Sequence, residues 1–224
     1  MLHRFAPRND ILSIAIKYYI KYNKNMIGND RKRLFIALNL SAKIKEKLTA
    51  FLEDLARYNR GVKWVNPEGL HLTLHFLGYL DERKTEEVKN MMQSLSGKFG
   101  GMNFSLKQLD AFPNLARPKI IFLEAKQGGD QSVFDLQELL GLELIKLKID
   151  IDDRPWRSHI TLGRVNPIRS GWASNGARIS NTNLKMPGDS EILPLDFEVS
   201  SFELMESELT PAGARYKEVA SFKL

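Results

Sequence analysis

The feature that most constrains this chain is a tetrapeptide, His-x-Thr-Leu, that occurs twice, at residues 71–74 and at residues 159–162. In both copies the first and third side chains are polar, and the second and fourth are aliphatic. Side chains alternate between the two faces of a β-strand, so this pattern predicts two strands that each bury one face. The other face of each strand then presents a histidine and a threonine.

The separation of the two copies, 88 residues from position 71 to position 159, is too long for a solenoid repeat and suits an internal duplication that gives two similar lobes. Amphipathic patterns predict three helices, which begin near Ser41, Asp81 and Gln131. The mixture predicts an α+β fold with helices on one side of the sheets. We predict strands at Arg33–Leu40, Val62–Val65, His71–Leu80, Phe104–Leu109, Lys119–Ala125, Arg157–Val165, Phe197–Met205 and Tyr216–Phe222.

The two ends of the chain differ in character. Residues 1–32 are basic, rich in Asn and Tyr, and without a clear period, so we expect an N-terminal extension outside the core. Met26 is a candidate start of the native protein, and a short helix over Ile11–Tyr22 is the alternative for this segment. Residues 33–224 are expected to form a single bilobal domain, in which residues 166–194 are loop-like.

Composition narrows the classes of function. The chain has 224 residues, 43% of them hydrophobic, which is enough for one large core or two small lobes. Its net charge of +6 favours a polyanionic partner such as RNA. It contains no cysteine, which excludes disulfides, thiolate metal sites and cysteine nucleophiles and fits a cytoplasmic location. No apolar run approaches the roughly 20 residues of a membrane span, so no membrane partner is expected.

The repeated motif carries acid–base chemistry. If the lobes bring the two polar faces together, His71 and His159 form a pair in which one imidazole accepts a proton and the other donates one. Thr73 and Thr161 can donate hydrogen bonds to phosphate oxygens. This chemistry needs no metal or cofactor. A zinc site with His75 as third ligand is a less favoured alternative, and the sequence has neither a serine nucleophile elbow nor a P-loop.

With these motifs the chain resembles the 2H phosphoesterases, and within them the RNA 2′,3′-cyclic phosphodiesterases, also called 2′-5′ RNA ligases. The matching segments are RLFIALNL, VKWVNPEGLHLTLHFLGYL, RPWRSHITLGR and FELMESELTPAGARYKEVASFKL, from about Arg33 to the C-terminus. The resemblance implies two pseudo-symmetric lobes of antiparallel sheet, with helices on the outer faces and a central cleft. It also implies hydrolysis of an RNA 2′,3′-cyclic phosphate to a 2′-phosphomonoester without a metal.

Carried onto this sequence, the resemblance makes His159 the base that activates water and His71 the acid that protonates the departing 3′ oxygen. It makes Thr73 and Thr161 the residues that hold the phosphate. The two motifs are nearly equivalent, so the sequence alone leaves the roles of the two histidines interchangeable. The reverse reaction, 2′-5′ ligation, ranks second because hydrolysis should dominate in water.

Strand alternation nominates further residues near the motifs. Arg157 falls on the face of His159, and a guanidinium suits phosphate. His75 falls on the face of His71 and could touch RNA at the rim, with a solvent-facing residue as the alternative; members of the family often have lysine or a small residue there. Arg164 falls on the opposite face from His159.

Aromatic residues are a second group of candidates, because RNA sites often stack bases on aromatic rings. Tyr216 is the one we nominate for RNA contact, with Trp64 and Phe112 as weaker candidates. Core packing is the alternative for all three.

The expected partner is RNA with 2′,3′-cyclic phosphate ends, bound by a monomer without an obligate protein partner. One alternative is a related phosphoesterase acting on another small cyclic phosphate or on a 2′-5′ oligonucleotide. The other is a non-catalytic RNA-binding module, which would not need two imidazoles.

Overall fold

A computed structural model describes residues 31–129, 132–165, 193–210 and 213–224. Nearly all of the expected extension 1–32 lies outside the described residues, including Met26 and the alternative helix over Ile11–Tyr22. Most of the expected loop 166–194 lies outside them as well. Within the described part of the chain, no helix is long and apolar enough to cross a membrane.

The described residues form three α-helices, one short 3₁₀-helix (Pro67–Gly69) and nine strands, in the α+β arrangement that the sequence predicts. The helices are α1 (Ala42–Tyr58), α2 (Glu82–Leu95) and α3 (Val133–Lys146). The strands are β1 (Lys32–Asn39), β2 (Val62–Trp64), β3 (His71–Leu80), β4 (Met102–Phe112), β5 (Ile120–Gly128), β6 (His159–Val165), β7 (Leu195–Val199), β8 (Ser201–Thr210) and β9 (Gly213–Lys223).

All nine strands belong to one curled antiparallel sheet in the order β7-β4-β5-β6-β3-β1-β8-β9, with β2 added beside β6. The order divides at the middle into two four-stranded halves. In the first half β1 and α1 precede the motif strand β3, and in the second half β5 and α3 precede the motif strand β6. The predicted duplication therefore corresponds to two similar halves whose motif strands are neighbours.

The helices follow from their apolar stripes and their first residues. In α1 the buried side chains recur at helical spacing, at Ile44, Leu48, Phe51, Leu52 and Leu55. The Asp81 carboxylate accepts a hydrogen bond from the Lys84 main chain at 2.8 Å and so caps α2. The side chain of Ser41 makes no such bond, and α1 begins without a side-chain cap.

The main apolar core lies between the sheet and the helices. The aliphatic residues of both motifs, Leu72, Leu74, Ile160 and Leu162, are at most 2% exposed there. Burying one such side chain contributes roughly 1.5–3 kcal/mol, so the orientation of both strands is strongly fixed. The polar residues of the motifs consequently lie on the other face of the sheet.

The strand β3 contains a β-bulge at the leucine of its motif. In its pairing with β1, Thr73 is opposite Ala37 and His75 is opposite the adjacent residue, Ile36. Leu74 therefore has no opposite residue in β1. An extra residue in one strand interrupts the alternation of faces. His75 and Phe76, which directly follow the motif, therefore lie on the faces opposite to those that simple alternation predicts.

The strand β6 repeats this bulge at the equivalent leucine. In its pairing with β5, Thr161 is opposite Phe122 and Gly163 is opposite the adjacent residue, Ile121. Leu162 therefore has no opposite residue in β5. The two halves thus share the sequence motif and also the irregularity within it. The bulge decides which residues beyond each motif reach the polar face.

Candidate active site

The two motif strands meet at the centre of the sheet. Strands β3 and β6 pair antiparallel through Leu72 and Ile160. Because opposed residues of an antiparallel pair share a face, this register sets His71 level with Thr161 and Thr73 level with His159. The structure thus brings together the four residues nominated from the sequence, on one face and in a crossed arrangement.

Both histidines are held by the same kind of hydrogen bond. The Nδ1 atom of His71 lies 2.7 Å from the carbonyl oxygen of Gly69, and that of His159 lies 2.6 Å from the carbonyl oxygen of Arg157. A carbonyl oxygen only accepts, so Nδ1 must carry the proton in each ring. Nε2 is then the atom that can exchange a proton with a substrate in both histidines.

Each imidazole is also packed against two aromatic rings. His71 lies 5.0 Å from Tyr216 and 4.8 Å from Phe35 between ring centroids. His159 lies 5.2 Å from both Phe112 and Phe122, edge to face. This packing limits the rotation of the rings, as the Nδ1 hydrogen bonds do.

Burial lowers the pKa of both histidines. Burial is the main cause for His71, and repulsion from Lys45 and His159 lowers its pKa further. The hydrogen bond to Gly69 acts in the opposite direction. The net effect is a pKa of about 4 for His71. Burial likewise lowers the pKa of His159, with a further contribution from the guanidinium of Arg157. Both rings are therefore mainly neutral near pH 7 in the free protein.

Gly69 combines two functions behind His71. Its carbonyl oxygen accepts the Nδ1 proton of His71. A Cβ atom at Gly69 would lie 2.8 Å from the ring of Tyr216, which is too close, so only glycine lets Tyr216 contact His71 here. Tyr216 thus lies in the site as predicted from the sequence, and its contact with RNA stays a prediction.

Arg157 lies beside His159, as alternation predicts. Its guanidinium carbon is 5.2 Å from the ring centroid of Phe112 and 5.3 Å from that of Phe122, in cation–π geometry. A hydrogen bond of 3.2 Å to Asp110 completes its surroundings. Phe112, a weaker candidate, therefore belongs to the site as part of the wall around His159.

The predicted position of His75 is wrong. The bulge at Leu74 turns His75 to the core face, where it is 5% exposed and lies 2.7 Å from the main-chain oxygen of Gln137. It therefore cannot touch RNA at the rim, and it cannot join His71 as a metal ligand. Among the described residues, no group of three or more histidine or carboxylate side chains could hold a metal ion.

The predicted position of Arg164 is wrong for the same reason. The bulge at Leu162 places Arg164 opposite Ile120, two residues from Phe122 and hence on the face of His159. Trp64, in contrast, packs against the main core close to Gly163 and does not enter the site.

Lys45 is a neighbour of the site that the sequence did not reveal. It lies on α1, its Nζ atom donates to the carbonyl oxygen of Glu68 at 2.7 Å, and its charge acts on His71. The aromatic walls were missed as well, apart from Tyr216 and Phe112. Only the strand register, which the sequence does not state, brings Phe35 and Phe122 beside the histidines.

Comparison with known proteins agrees with this geometry. A family model described as LigT-like phosphoesterase matches residues 38–122, which include the first motif. RNA 2′,3′-cyclic phosphodiesterase of Archaeoglobus fulgidus is 29% identical over 196 residues, which cover 85% of this chain and 99% of the relative. The enzyme of the same name from Thermotoga maritima is 28% identical over 185 residues, with 83% and 91% covered. The chain is thus similar to LigT-like phosphoesterases over residues 38–122 and to RNA 2′,3′-cyclic phosphodiesterases over most of its length.

Solved structures of similar proteins have the same fold. A protein of Thermus thermophilus superposes with a TM-score of 0.67 at 28% identity, over 86% of this chain and 97% of that protein. E. coli LigT in complex with 3′-AMP superposes with a TM-score of 0.65 at 20% identity, over 87% and 98%. The bilobal antiparallel architecture implied by the sequence resemblance is thus confirmed for this chain.

Proposed function

We propose that this protein is an RNA 2′,3′-cyclic phosphodiesterase that hydrolyses cyclic phosphate ends to 2′-phosphomonoesters. The observation that carries the proposal is the matched pair of Nδ1 hydrogen bonds to Gly69 and Arg157, which leaves Nε2 of His71 and His159 as the proton-exchanging atoms. Both rings lie on the face that also carries Thr73 and Thr161. The names of the relatives, RNA 2′,3′-cyclic phosphodiesterases, support the choice of substrate.

The reaction is an in-line displacement at phosphorus. One imidazole takes a proton from a water molecule while the oxygen of that water attacks the phosphorus. The bond between the phosphorus and O3′ breaks in the same displacement. The other imidazole gives its Nε2 proton to O3′, which leaves a 3′ hydroxyl and a 2′-phosphomonoester. Thr73 and Thr161 hold the non-bridging oxygens. The chain's own residues suffice for every proton transfer.

We assign the base role to His159 and the acid role to His71, as the resemblance implies. The burial of His71, which lowers its pKa to about 4, opposes the acid role in the free protein. The substrate resolves this conflict, because a phosphodiester anion beside an imidazole stabilises its protonated form and raises its pKa. His71 is therefore charged together with substrate binding.

The first experiment compares three variants on a short RNA that ends in a 2′,3′-cyclic phosphate, in the presence of EDTA. We expect the wild type to form the 2′-phosphate, identified by ³¹P NMR. His71→Ala and His159→Ala should each lose at least about 10²-fold in kcat, which is the lower range for one general acid or base.

His75→Ala is the matched control, because it removes the same side chain from the same strand on the opposite face. It should retain kcat within about threefold, because His75 lies on the core face and touches none of the four motif side chains that contact the substrate. Full activity of either His71→Ala or His159→Ala would rule out the two-histidine mechanism. Tight RNA binding without turnover by the wild type would favour the binding module instead.

The cellular setting is a further part of the proposal. We propose that the enzyme acts as a monomer in the cytoplasm on RNA ends, without an obligate protein partner and without a bound metal or cofactor. Ligation in the reverse direction is secondary, because water is the more abundant nucleophile. Light scattering after size exclusion, together with cell fractionation, tests the monomer and the location.

A further inference from the structure

The junction between the two halves of the sheet is short. Among the described residues, β3 and β6 pair at a single position, where Leu72 is opposite Ile160. By contrast, β8 pairs with β9 along the whole of Ser201–Thr210. One pair of opposed residues constrains the relative position of two strands only weakly, so contacts beside this junction decide how the two motifs lie against each other.

On one side of the junction, a main-chain group of the first half holds the second motif. Beyond Ile160, β6 pairs with β2, and Trp64 is opposite Gly163. The main-chain N–H of Val65, which follows β2, donates to the carbonyl oxygen of Leu162 at 2.8 Å. The strand of the second motif is therefore fixed by the segment that precedes the first motif.

On the other side of the junction, a side chain of the second half holds the first motif. The Nε1 atom of Trp156 donates a hydrogen bond of 3.0 Å to the carbonyl oxygen of Thr73. Trp156 lies three residues before His159 and outside β6. The arrangement is reciprocal, because the segment ahead of each motif donates to the strand of the other motif.

The acceptor of this bond lies at an irregular point of β3. Thr73 is the last residue before the bulge at Leu74. A bulge interrupts the regular ladder of hydrogen bonds, so the main chain is supported less well there. An indole has one donor and no acceptor, whereas a carbonyl oxygen only accepts, so the two groups are matched. The bond from Trp156 thus supports Thr73 where the sheet does so least.

The segment that contains Trp156 also orients His159. Arg157, the next residue, offers its carbonyl oxygen to Nδ1 of His159 at 2.6 Å. The junction sets Thr73 and His159 level with each other on the same face. Two adjacent residues of one segment therefore hold the main chain of Thr73 and the imidazole of His159, which come from different halves.

The corresponding position in the first half cannot make this bond. Glu68 lies three residues before His71, as Trp156 lies three residues before His159, and it is exposed. A carboxylate only accepts hydrogen bonds, so it cannot donate to a carbonyl oxygen of the second motif. The support that Trp156 gives to Thr73 has no counterpart from Glu68 to Thr161, which makes the two threonines unequal.

The ring of Trp156 is held by packing that does not depend on its donor. It lies 5.2 Å from the ring of Phe134 of α3, edge to face, and it packs against the main core. A tryptophan combines a large apolar ring with one polar atom at its edge. Phenylalanine at this position would keep most of the apolar contacts and lose the hydrogen bond.

We propose that Trp156 is a positioning residue that fixes Thr73 relative to His159. This inference rests on the proposed function, in which Thr73 holds a non-bridging oxygen of the phosphate. The indole acts through the main chain of Thr73 and needs no contact with the substrate. It keeps the hydroxyl of one half in a constant position against the imidazole of the other half.

The test is a double-mutant cycle on kcat, measured with an RNA that ends in a 2′,3′-cyclic phosphate. Trp156→Phe should lower kcat about tenfold, less than the roughly 10²-fold that a displacement of 1 Å costs. In the Thr73→Ala background the same change should lower kcat less than about twofold, because the hydroxyl that it displaces is absent. In the Thr161→Ala background the loss should remain about tenfold, since Thr161 belongs to the other motif.

Two further variants separate the hydrogen bond from the packing. Trp156→benzothienylalanine keeps the shape of the side chain and replaces the indole N–H with sulfur, so it should reproduce the loss seen in Trp156→Phe. Trp64→Phe is the matched control, because Nε1 of Trp64 is buried without a hydrogen-bond partner in the part of the chain that the structure describes. Its kcat should stay within about twofold of the wild type.

A tenfold loss on Trp156→Phe in every background would overturn the inference, because Trp156 would then act on the fold and not on Thr73. Unchanged kcat in both Trp156→Phe and Trp156→benzothienylalanine would overturn it as well. Absence of turnover by the wild type would overturn the proposed function together with this inference. Turnover by the wild type with equal losses in all backgrounds would overturn this inference alone.

Discussion

The imidazole of His75 donates a hydrogen bond from Nε2 to the main-chain oxygen of Gln137, at 2.7 Å. The bond ties the motif strand of the first half to α3, the helix that connects the strands of the second half. Gly141 provides the space, because a Cβ atom there would lie 3.2 Å from the ring of His75. His75 thus connects the two halves of the sheet on the core face, away from the active site.

His75→Ala should lower the free energy of unfolding by about 2–3 kcal/mol, through the cavity and the lost hydrogen bond. Urea unfolding measures this. The neighbouring exposed residue offers the control, and Phe76→Ala should stay within about 0.5 kcal/mol of the wild type. Equal losses in the two variants would contradict the buried position of His75.

Gly141→Ala tests the same contact from the helix. In the wild type the added Cβ would press on His75 and on Ile151, 3.3 Å away, which offsets the preference of a helix for alanine. In the His75→Ala background only the Ile151 methyl group remains close, and it can shift into the space left by the imidazole, so Gly141→Ala should stabilise by up to about 1 kcal/mol. A double-mutant cycle by urea unfolding measures the difference. Additive effects would mean that the two residues do not interact.

Gly69→Ala should impair catalysis more than folding. The new Cβ would lie 2.8 Å from the Tyr216 ring, and either the ring or the carbonyl oxygen that orients His71 must shift. A misplacement of about 1 Å in a catalytic group costs on the order of 10²-fold, so we expect kcat to fall about 10- to 100-fold. Gly128→Ala is the control, since nothing lies within 4 Å of its Cβ position. Equal kcat values for the two variants would show that Gly69 does not position His71.

The pH dependence should differ between the free enzyme and the substrate complex. Burial lowers the pKa of His71 to about 4 and that of His159 below 6.5, so the form with one charged imidazole is most populated below pH 6.5. The optimum of kcat/KM, which reports the free enzyme, should therefore lie below that pH. The optimum of kcat should lie higher, because the bound phosphate raises the pKa of the imidazoles. Coincident optima would contradict this.

Lys45 provides a sharper form of that experiment. Its charge is one of the causes that lower the pKa of His71, so Lys45→Gln should move the kcat/KM profile to higher pH. Lys47→Gln removes a charge from an exposed position of the same helix and should leave the profile in place. Equal profiles for the two variants would show that Lys45 does not act on His71.

The buried carboxyl group of Glu203 should make the free energy of unfolding depend on pH. It is 2% exposed, accepts a 3.0 Å hydrogen bond from the Asn39 main chain, and has a pKa that burial raises above its ordinary value of 4.5. A carboxyl group with a raised pKa in the folded state binds its proton more tightly there than in the unfolded chain. Its contribution to stability is therefore complete below pH 4.5 and is lost as the pH rises through the folded pKa. Glu203→Gln should remove this loss, measured by urea unfolding at several pH values, and an unchanged pH dependence would contradict it.

Local patterns predict much of this fold because they act over a few residues. The apolar stripe of α1 and the cap at Asp81 are properties of short segments. The face of Leu72 and Ile160 is likewise fixed by burial of aliphatic side chains. The predicted elements followed from these local rules, and so did the face that each histidine shares with the threonine of its own motif.

What the sequence by itself determined was thus the phase of each motif, with His71 and Thr73 facing away from the core in β3 and His159 and Thr161 doing so in β6. The positions beyond each motif were decided only by the tertiary structure. A bulge at Leu74 and another at Leu162 arise from the register with neighbouring strands, which local alternation cannot report. They send His75 into the core and Arg164 to the active-site face, because one extra residue reverses the faces of the residues that directly follow it.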